Sequence, residues 1–246
     1  MRFTLIKRLS PKASTRKKAH WQSVKQAAKK HGFELYRSNL VWPTDEAFAS
    51  LQTEWPMSRG MSNDRRFFLF NTSRRIRHIE GASADVGVRF GTSSFFILKG
   101  LGDPSKPHHL FDSFEGLSEP APEDRKVQTP ASFWKKGDLM VGEEVPRNNL
   151  AQFANCSFHK GWIPERFPDV SQRRFCFVHI DVDLYQPTLD SLGFFYERTA
   201  PGGVIVCDDY GFNSCPGAAK ALEEFFSGKK ETLFHIPTGQ ALVVKQ

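Results

Sequence analysis

Acidic residues that follow two short apolar runs are the side chains best suited, by type and spacing, to do chemistry. Residues 175–180 (FCFVHI) are followed by Asp181, and residues 203–207 (GVIVC) by Asp208 and Asp209. Grouped carboxylates are the ligands that hard divalent cations prefer, and a carboxylate also accepts a proton from a hydroxyl. The pattern predicts a metal site, a proton acceptor, or both. Capping of a following helix is the alternative for residues 208–209.

The elements around these acids place them together. Between the two runs, residues 186–200 predict a helix, because Pro187 suits its first turn and apolar residues recur at helical spacing through residue 196. A strand, a helix and a second strand form a βαβ unit with parallel strands. Both strands then end at one edge of the sheet, where open α/β sheets bind ligands. We therefore expect the three carboxylates to converge.

A second group of candidates lies earlier in the chain. Residues 84–93 (ADVGVRFGTS) run from a strand that carries Asp85 into a turn with Gly87 and Gly91. Glycines at such a junction let the backbone approach a ligand closely. Residues 108–111 form the next strand and end in Asp112, just over 20 residues after the turn, where nucleotide-type cofactors have their ribose bound. Capping of a local turn is the alternative role for Asp112.

The rest of the chain supports one α/β domain with additions. Residues 233–236 and 241–244 predict an antiparallel hairpin at one edge of a mostly parallel sheet. Residues 117–148 hold four prolines and many charges, which is typical of a lid or a substrate-binding insertion. Residues 1–80 predict a basic, mainly helical N-terminal cap before a domain at 81–246. Helix signals are also present at residues 146–155 and 217–227.

Charge and hydropathy narrow the class of protein. The net charge of +7 is an N-terminal property, because residues 1–81 carry 17 Lys and Arg against 6 Asp and Glu. This region is either a solvated helical face or a surface for nucleic acid, membrane or an acidic polysaccharide. No apolar run approaches the roughly 20 residues of a membrane span, and no signal peptide is evident. We expect a cytoplasmic protein whose four cysteines are reduced.

Five motifs together resemble one family. They are DVGVRFGTS (85–93), FDSFEG (111–116), KGW (160–162), HIDVDLYQPTLDSL (179–192) and PGGVIVCDDYG (201–211). Their order and spacing are similar to those of the macrocin O-methyltransferases, class I enzymes that methylate sugar hydroxyls. The resemblance covers residues 81 to the C-terminus, and we identify no match before it. It implies a Rossmann-like, mostly parallel seven-stranded sheet, S-adenosylmethionine as donor, and a divalent metal, usually Mg²⁺.

The resemblance also implies roles for particular residues. Those expected at the methionine end of the donor are Asp85, Gly87 and Ser93, those at its ribose are Asp112 and Ser113, and further donor contacts are Gly91, Gly161 and Trp162. The expected metal ligands are Asp181, Asp208 and Asp209. Asp181 is also the expected general base, Asp183 a supporting ligand, and His159 and His179 further base candidates. Asp85 departs from the glutamate usual in the family.

Two other functions remain open at this stage. Asp181-Val182-Asp183 also fits the DxD motif of a metal-dependent glycosyltransferase that binds a nucleotide sugar, although that reading leaves residues 208–209 and the glycine turn unexplained. The basic N-terminal region fits a nucleic-acid or membrane-surface binding protein with an inactive methyltransferase-like domain. For the methyltransferase we expect a small-molecule or saccharide acceptor. Its identity, the methylated hydroxyl and the oligomeric state, including a homo-oligomer, stay open.

Overall fold

The computed structural model describes residues 22–30, 40, 42–55, 60–125 and 133–246. The chain forms two compact units, residues 1–50 and residues 51–246. In the first unit, residues 22–30 are helical (α1) and Trp42–Thr44 form a 3-10 turn. Helix α2 (Glu46–Glu54) begins there. Much of the predicted N-terminal cap lies outside the described residues.

A seven-stranded sheet forms the centre of the second unit. Its strands are β1 (Ala82–Val86), β2 (His108–Asp112), β3 (Cys156–Lys160), β4 (Phe175–Ile180), β5 (Thr199–Cys207), β6 (Phe234–His235) and β7 (Ala241–Val244). Their order is β3-β2-β1-β4-β5-β7-β6. Strands β1 to β5 are parallel, whereas β7 is antiparallel to both β5 and β6. The predicted parallel sheet with a C-terminal antiparallel hairpin is confirmed.

Helices cover both faces of this sheet. They are α3 (Asn63–Ile76), α4 (Thr92–Leu101), α5 (Glu144–Asn149), α6 (Tyr185–Phe195) and α7 (Pro216–Phe226). On one face, α6 and α7 pack against the sheet through a cluster that includes Leu192, Leu222 and Ile205. On the other, α3 and α4 pack through a cluster that includes Leu69 and Val206. Ile205 and Val206 point to opposite faces because successive strand residues alternate.

The structure moves several predicted boundaries. The compact unit that holds the sheet includes residues 51–80, because α3 packs directly against α4, and the domain division at residue 81 stays a prediction. Helix α5 begins at Glu144, two residues before Pro146, since a first-turn residue needs no backbone donor. Helix α6 ends at Phe195 instead of continuing to residue 200. There the hydroxyl of Thr199 donates to the Phe195 carbonyl at 2.9 Å, and β5 begins at Thr199.

Among the described residues, no helix is both long enough and apolar enough to cross a lipid bilayer. The cytoplasmic location and the oligomeric state stay predictions. Within the predicted insertion, the described parts are residues 117–125 and 133–148, which contain a 3-10 turn at Pro122–Asp124 and the start of α5.

Candidate active site

A cavity of about 680 Å³ lies at the edge where β1, β2, β4 and β5 end. This volume is within the range of small-molecule and cofactor sites. Nine of the residues singled out from the sequence line it: Gly87, Ser93, Asp112, Ser113, Gly161, Trp162, Asp181, Asp183 and Asp209. Asp85, Gly91 and Asp208 do not line it. The topology therefore brings most of the predicted donor residues and two of the three predicted metal ligands to one cavity.

Close packing against the end of β4 explains the first glycine in the turn after β1. Gly87 has φ +88, and a Cβ built on it would lie 1.8 Å from the carbonyl oxygen of Asp181. The end of β4 thus passes directly beside the turn, and a side chain there would push the two apart. Gly91 also has a positive φ, of +80, and immediately precedes α4. Both glycines give the backbone conformations that other residues adopt only with strain.

Asp112 fixes the turn from the neighbouring strand. Its Oδ2 accepts hydrogen bonds from the backbone N–H groups of Val88 at 2.8 Å and Arg89 at 2.9 Å. Its Oδ1 accepts from the N–H of Phe114 at 2.7 Å. The turn-capping alternative is therefore realised, and the same carboxylate also faces the cavity. Both lone pairs of Oδ2 are used in these bonds, whereas Oδ1 keeps one, so Asp112 can still accept from a ligand hydroxyl through Oδ1.

Asp85 belongs to a buried network behind the cavity. It is 0% exposed, and its Oδ2 accepts hydrogen bonds from the hydroxyls of Ser93, at 2.6 Å, and Ser94. Its Oδ1 lies 2.8 Å from Nδ1 of His179. Burial alone would raise the pKa of Asp85, but the charge and hydrogen bond of His179, with smaller contributions from His108 and Ser93, hold it below its usual value. Asp85 thus positions Ser93 and His179 rather than reaching the cavity itself.

Asp208 is the far end of this network. Its Oδ1 accepts from Nε2 of Gln240 at 2.7 Å and lies 3.4 Å from Nε2 of His179. Its Oδ2 forms an ion pair with the guanidinium of Arg65, from α3, and has no other partner among the described residues. The carboxylate is 0% exposed. His179, also 0% exposed, bridges Asp85 and Asp208, so it is a hydrogen-bonded core histidine.

The other three carboxylates concentrate negative charge in the cavity. Burial raises the pKa of Asp181, and the positive charges of His179 and Arg65 only partly oppose this. Burial and the neighbouring Asp181 raise the pKa of Asp183 to about 7. Burial, with the charges of Asp183 and Asp181, raises the pKa of Asp209 well above its usual value. Such a site favours a cation or a proton.

Local geometry explains why Asp183 joins the cavity. It has φ +60, so the chain turns sharply after β4, and its backbone N–H donates to Oδ2 of Asp209 at 2.9 Å. The thiol of Cys215 lies 3.4 Å from its Oδ1. Ligand atoms of Asp183, Asp209 and Cys215 lie within 4.8 Å of one another, as do those of His179, Asp181 and Asp208. The four carboxylates thus form two adjacent groups.

Three residues of this region, Asp183, Arg65 and Gln240, carried a weak signal or none in the sequence. Asp183 was visible as the second acid of the DxD pattern, but strand alternation gave no way to anticipate its left-handed turn. Arg65 carried no local signal, because it lies in the first helical turns of α3, far from the motifs. His159 lies outside the cavity lining and instead contacts His109 and Asp169. Gln240, in the hairpin turn, likewise carried no signal.

The sheet order, with its antiparallel β7 beside β5, and the cavity at the carboxyl edge define the fold of the class I methyltransferases. Solved structures agree on this fold. The calicheamicin methyltransferase CalS11 superposes with a TM-score of 0.66 at 18% identity, covering 96% of this chain and 94% of CalS11. The O-methyltransferase NovP superposes with a TM-score of 0.62 at 21% identity, covering 75% of this chain and 81% of NovP.

The family can be stated from the sequence comparison. The family model of the macrocin O-methyltransferases (TylF) matches residues 11–236, so the chain belongs to this family. The match begins 70 positions before residue 81, where the sequence resemblance was expected to start, and so it includes most of the basic N-terminal region. That expectation about the extent of the resemblance was wrong.

Two curated relatives come from Streptomyces. The 8-demethyl-8-(2,3-dimethoxy-alpha-L-rhamnosyl)-tetracenomycin-C 4'-O-methyltransferase of Streptomyces olivaceus is 30% identical over 148 residues, which is 57% of this chain and 57% of the relative. The demethyldecarbamoylnovobiocin O-methyltransferase of Streptomyces niveus is 29% identical over 159 residues, or 60% of this chain and 59% of the relative. The chain thus spans less than two thirds of the length of either.

Proposed function

We propose that this protein transfers a methyl group from S-adenosylmethionine to a hydroxyl of a sugar or related polyol, with the help of a divalent cation. The observation that carries the proposal is that one cavity joins a glycine turn, with Asp112 beside it, to a cluster of buried carboxylates. Family membership and the names of the two relatives, O-methyltransferases of a rhamnosyl-tetracenomycin and of demethyldecarbamoylnovobiocin, support the same reaction class.

The side of the cavity at the ends of β1 and β2 suits the donor. Gly87 and Gly161 bring bare backbone to the cavity, and the Asp112 carboxylate is aimed into it. Solved neighbours of the same fold were crystallised with S-adenosylhomocysteine or S-adenosylmethionine. We assign Asp112 and Ser113 to the ribose and the turn at residues 87–93 to the methionine end, with Trp162 as a further wall. Asp85 acts through Ser93 in this assignment.

The carboxylate side suits a hard divalent cation. Asp181 and Asp209 line the cavity, and burial raises the pKa of both, with the charges of Asp183 and Asp181 adding to the rise at Asp209. Oδ2 of Asp208 has no hydrogen-bond partner among the described residues apart from its ion pair with Arg65. Oxygen ligands of this kind fit Mg²⁺, which keeps some positions for water or substrate. We therefore assign Asp181, Asp208 and Asp209 to the metal. Asp208 reaches it only through Oδ2, because Oδ1 is held by Gln240 and His179.

Two carboxylates compete for the role of proton acceptor. The sequence favoured Asp181 for both metal and proton, but a carboxylate that binds a cation is a weaker base. Asp183 lines the same cavity and forms no ion pair within the described chain. We assign the role of proton acceptor to Asp183 and the role of metal ligand to Asp181. When bound, the donor supplies an electrophilic methyl group and the cation lowers the pKa of a hydroxyl that it contacts.

A bound donor would supply its methyl group to the acceptor oxygen, and its sulfur would leave as a neutral thioether. The hydroxyl proton goes to Asp183. The residues of the cavity mainly align the two reactants, and such positioning supplies roughly 7 to 11 kcal/mol in well-oriented reactions. Lining residues not assigned to the donor, which include Trp134, Leu139 and Phe212, are left for the acceptor.

Formation of S-adenosylhomocysteine, measured by mass spectrometry with a panel of glycosides and nucleotide-activated sugars, tests the reaction. We expect Mg²⁺-dependent product with at least one sugar. Release of a nucleoside diphosphate without methyl transfer would instead support the glycosyltransferase. Absence of S-adenosylhomocysteine binding by calorimetry would refute the donor assignment.

Two isosteric variants separate the roles of the acids. We expect Asp183→Asn to lower kcat by about 100-fold or more, the scale of general-base catalysis, with binding of donor product and metal retained. Asp181→Asn should weaken metal binding instead. The control Asp169→Asn neutralises a carboxylate outside the cavity lining, paired with Arg166 and His159, and should leave turnover unchanged. Full turnover by Asp183→Asn would indicate that Asp181, rather than Asp183, accepts the proton.

A further inference from the structure

Arg65 brings a positive charge from α3 into the carboxylate end of the cavity. Its guanidinium forms an ion pair with Oδ2 of Asp208, and its side chain, 15% exposed, lines the cavity. The guanidinium also lies 5.1 Å from the ring centroid of Phe212, another cavity residue. Packing against an aromatic face and pairing with a buried carboxylate together hold an arginine in place.

The partners of Asp208 leave a single oxygen for any cation. Its Oδ1 lies 2.7 Å from Nε2 of Gln240 and 3.4 Å from Nε2 of His179. Both neighbours are fully buried, so this side of the carboxylate is closed. Oδ2 is the remaining atom, and Arg65 occupies it. A divalent cation bound to Asp208 needs the same oxygen.

Arg65 also acts on the rest of the cluster. Asp181, Asp183 and Asp209 line the same cavity as its side chain. A single guanidinium therefore partly neutralises all four carboxylates. Without any cation, these acids would repel one another in a water-poor site.

We propose that Arg65 and the divalent cation compete for Oδ2 of Asp208. Arg65 holds the carboxylate cluster together in the metal-free protein, and its guanidinium leaves Asp208 when the cation binds. This inference rests on the metal site of the proposed function. It makes Arg65 a positioning residue that sets metal affinity, and it gives one residue of the basic N-terminal region a defined task.

Calorimetric titration with MnCl₂ measures the competition directly. Arg65→Gln removes the competing charge, so we expect Mn²⁺ to bind about tenfold more tightly than in the wild type, within the usual range of coupling between two ligands of one site. Arg75→Gln is the matched control, because it removes an exposed arginine from the last turn of the same helix. We expect its Mn²⁺ affinity to equal that of the wild type.

A second measurement separates displacement from simple charge repulsion, and it uses the wild-type protein. Phenylglyoxal modifies accessible arginines, and peptide mass spectrometry reports the fraction of Arg65 modified. We expect saturating Mn²⁺ to increase modification of Arg65 severalfold, because the guanidinium leaves its ion pair, and to leave Arg75 unchanged. Equal Mn²⁺ affinity in wild type and Arg65→Gln, or modification of Arg65 that does not rise with Mn²⁺, would overturn the competition while the metal site stands. Absence of Mn²⁺ binding in both proteins would overturn the metal site and the competition together.

Discussion

The buried imidazole of His108 makes the stability of this protein sensitive to mild acid. His108 lies in β2, is 0% exposed, and its Nδ1 lies 2.7 Å from the hydroxyl of Ser83 in β1. Its Nε2 is buried without a hydrogen-bond partner. Burial lowers the pKa of His108 from 6.5 to about 4; the Asp85 charge opposes this, and His109 adds to it. The folded protein therefore holds His108 neutral at neutral pH.

The sign and size of the effect follow from proton linkage. The unfolded chain takes up a proton near pH 6.5, whereas the folded chain resists protonation down to about pH 4. The contribution of His108 is thus complete above pH 6.5, is lost as the pH falls from 6.5 to 4, and changes no further below that. At about 1.36 kcal/mol per pKa unit, acidification from pH 7 to pH 5 costs about 2 kcal/mol for this residue.

Urea denaturation at pH 7 and pH 5 measures this cost in the wild type and in His108→Asn, which keeps a polar partner for Ser83 but does not titrate. We expect the variant to lose about 2 kcal/mol less than the wild type over this interval. His109, whose pKa burial also lowers to about 4, contributes equally to both proteins and cancels in the difference. The same pH-dependent loss in both proteins would refute a buried neutral His108.

Two further substitutions test the packing behind the site. Gly87→Ala should destabilise the fold by about 3 kcal/mol or more in urea denaturation, because the new Cβ would meet the Asp181 carbonyl at 1.8 Å and φ is +88. The control Gly193→Ala, within α6 and with no atom near its Cβ, should instead be neutral or stabilising by up to about 1 kcal/mol; equal effects would contradict the close approach. Glu231→Gln should lower the melting temperature and cost about 2 kcal/mol, because the buried Glu231 accepts from Tyr196 at 2.6 Å and pairs with Lys245 at 3.0 Å. Glu224→Gln removes a similar but exposed bond from Tyr185 and should cost less than about 1 kcal/mol; a cost as large as that of Glu231→Gln would show that burial does not set the difference.

Much of the architecture could be predicted because it depends on local patterns. The run at residues 175–180 is β4 without any change of boundary, and residues 241–244 are β7. Helix ends were less predictable, as α6 shows. Its apolar spacing continues past Phe195, but the Thr199 hydroxyl and the pairing of Thr199 with Phe175 end the helix earlier. Such tertiary contacts override periodicity at element boundaries.

In the candidate site, too, some features could be predicted from local patterns and others could not. From the sequence alone, Asp181, Asp208, Asp209 and Asp112 could be placed at one edge, because parallel strands joined by right-handed crossovers must end together. The sequence alone could not predict which carboxylate oxygens face the cavity. Asp85 lies within β1 and Asp208 follows β5, as Asp181 follows β4, yet Asp85 and Asp208 are fully buried and joined through His179.

The sequence by itself determined the order of elements, the acidic edge of the sheet and the family, because these follow from periodicity and from motifs that are contiguous in the chain. Only the tertiary structure decided which partners each of these acids contacts. The left-handed turn at Asp183, the closing of one Asp208 oxygen by Gln240, and the approach of Arg65 to the other depend on packing between segments far apart in the chain. No local pattern encodes such contacts, since they arise where separate elements meet.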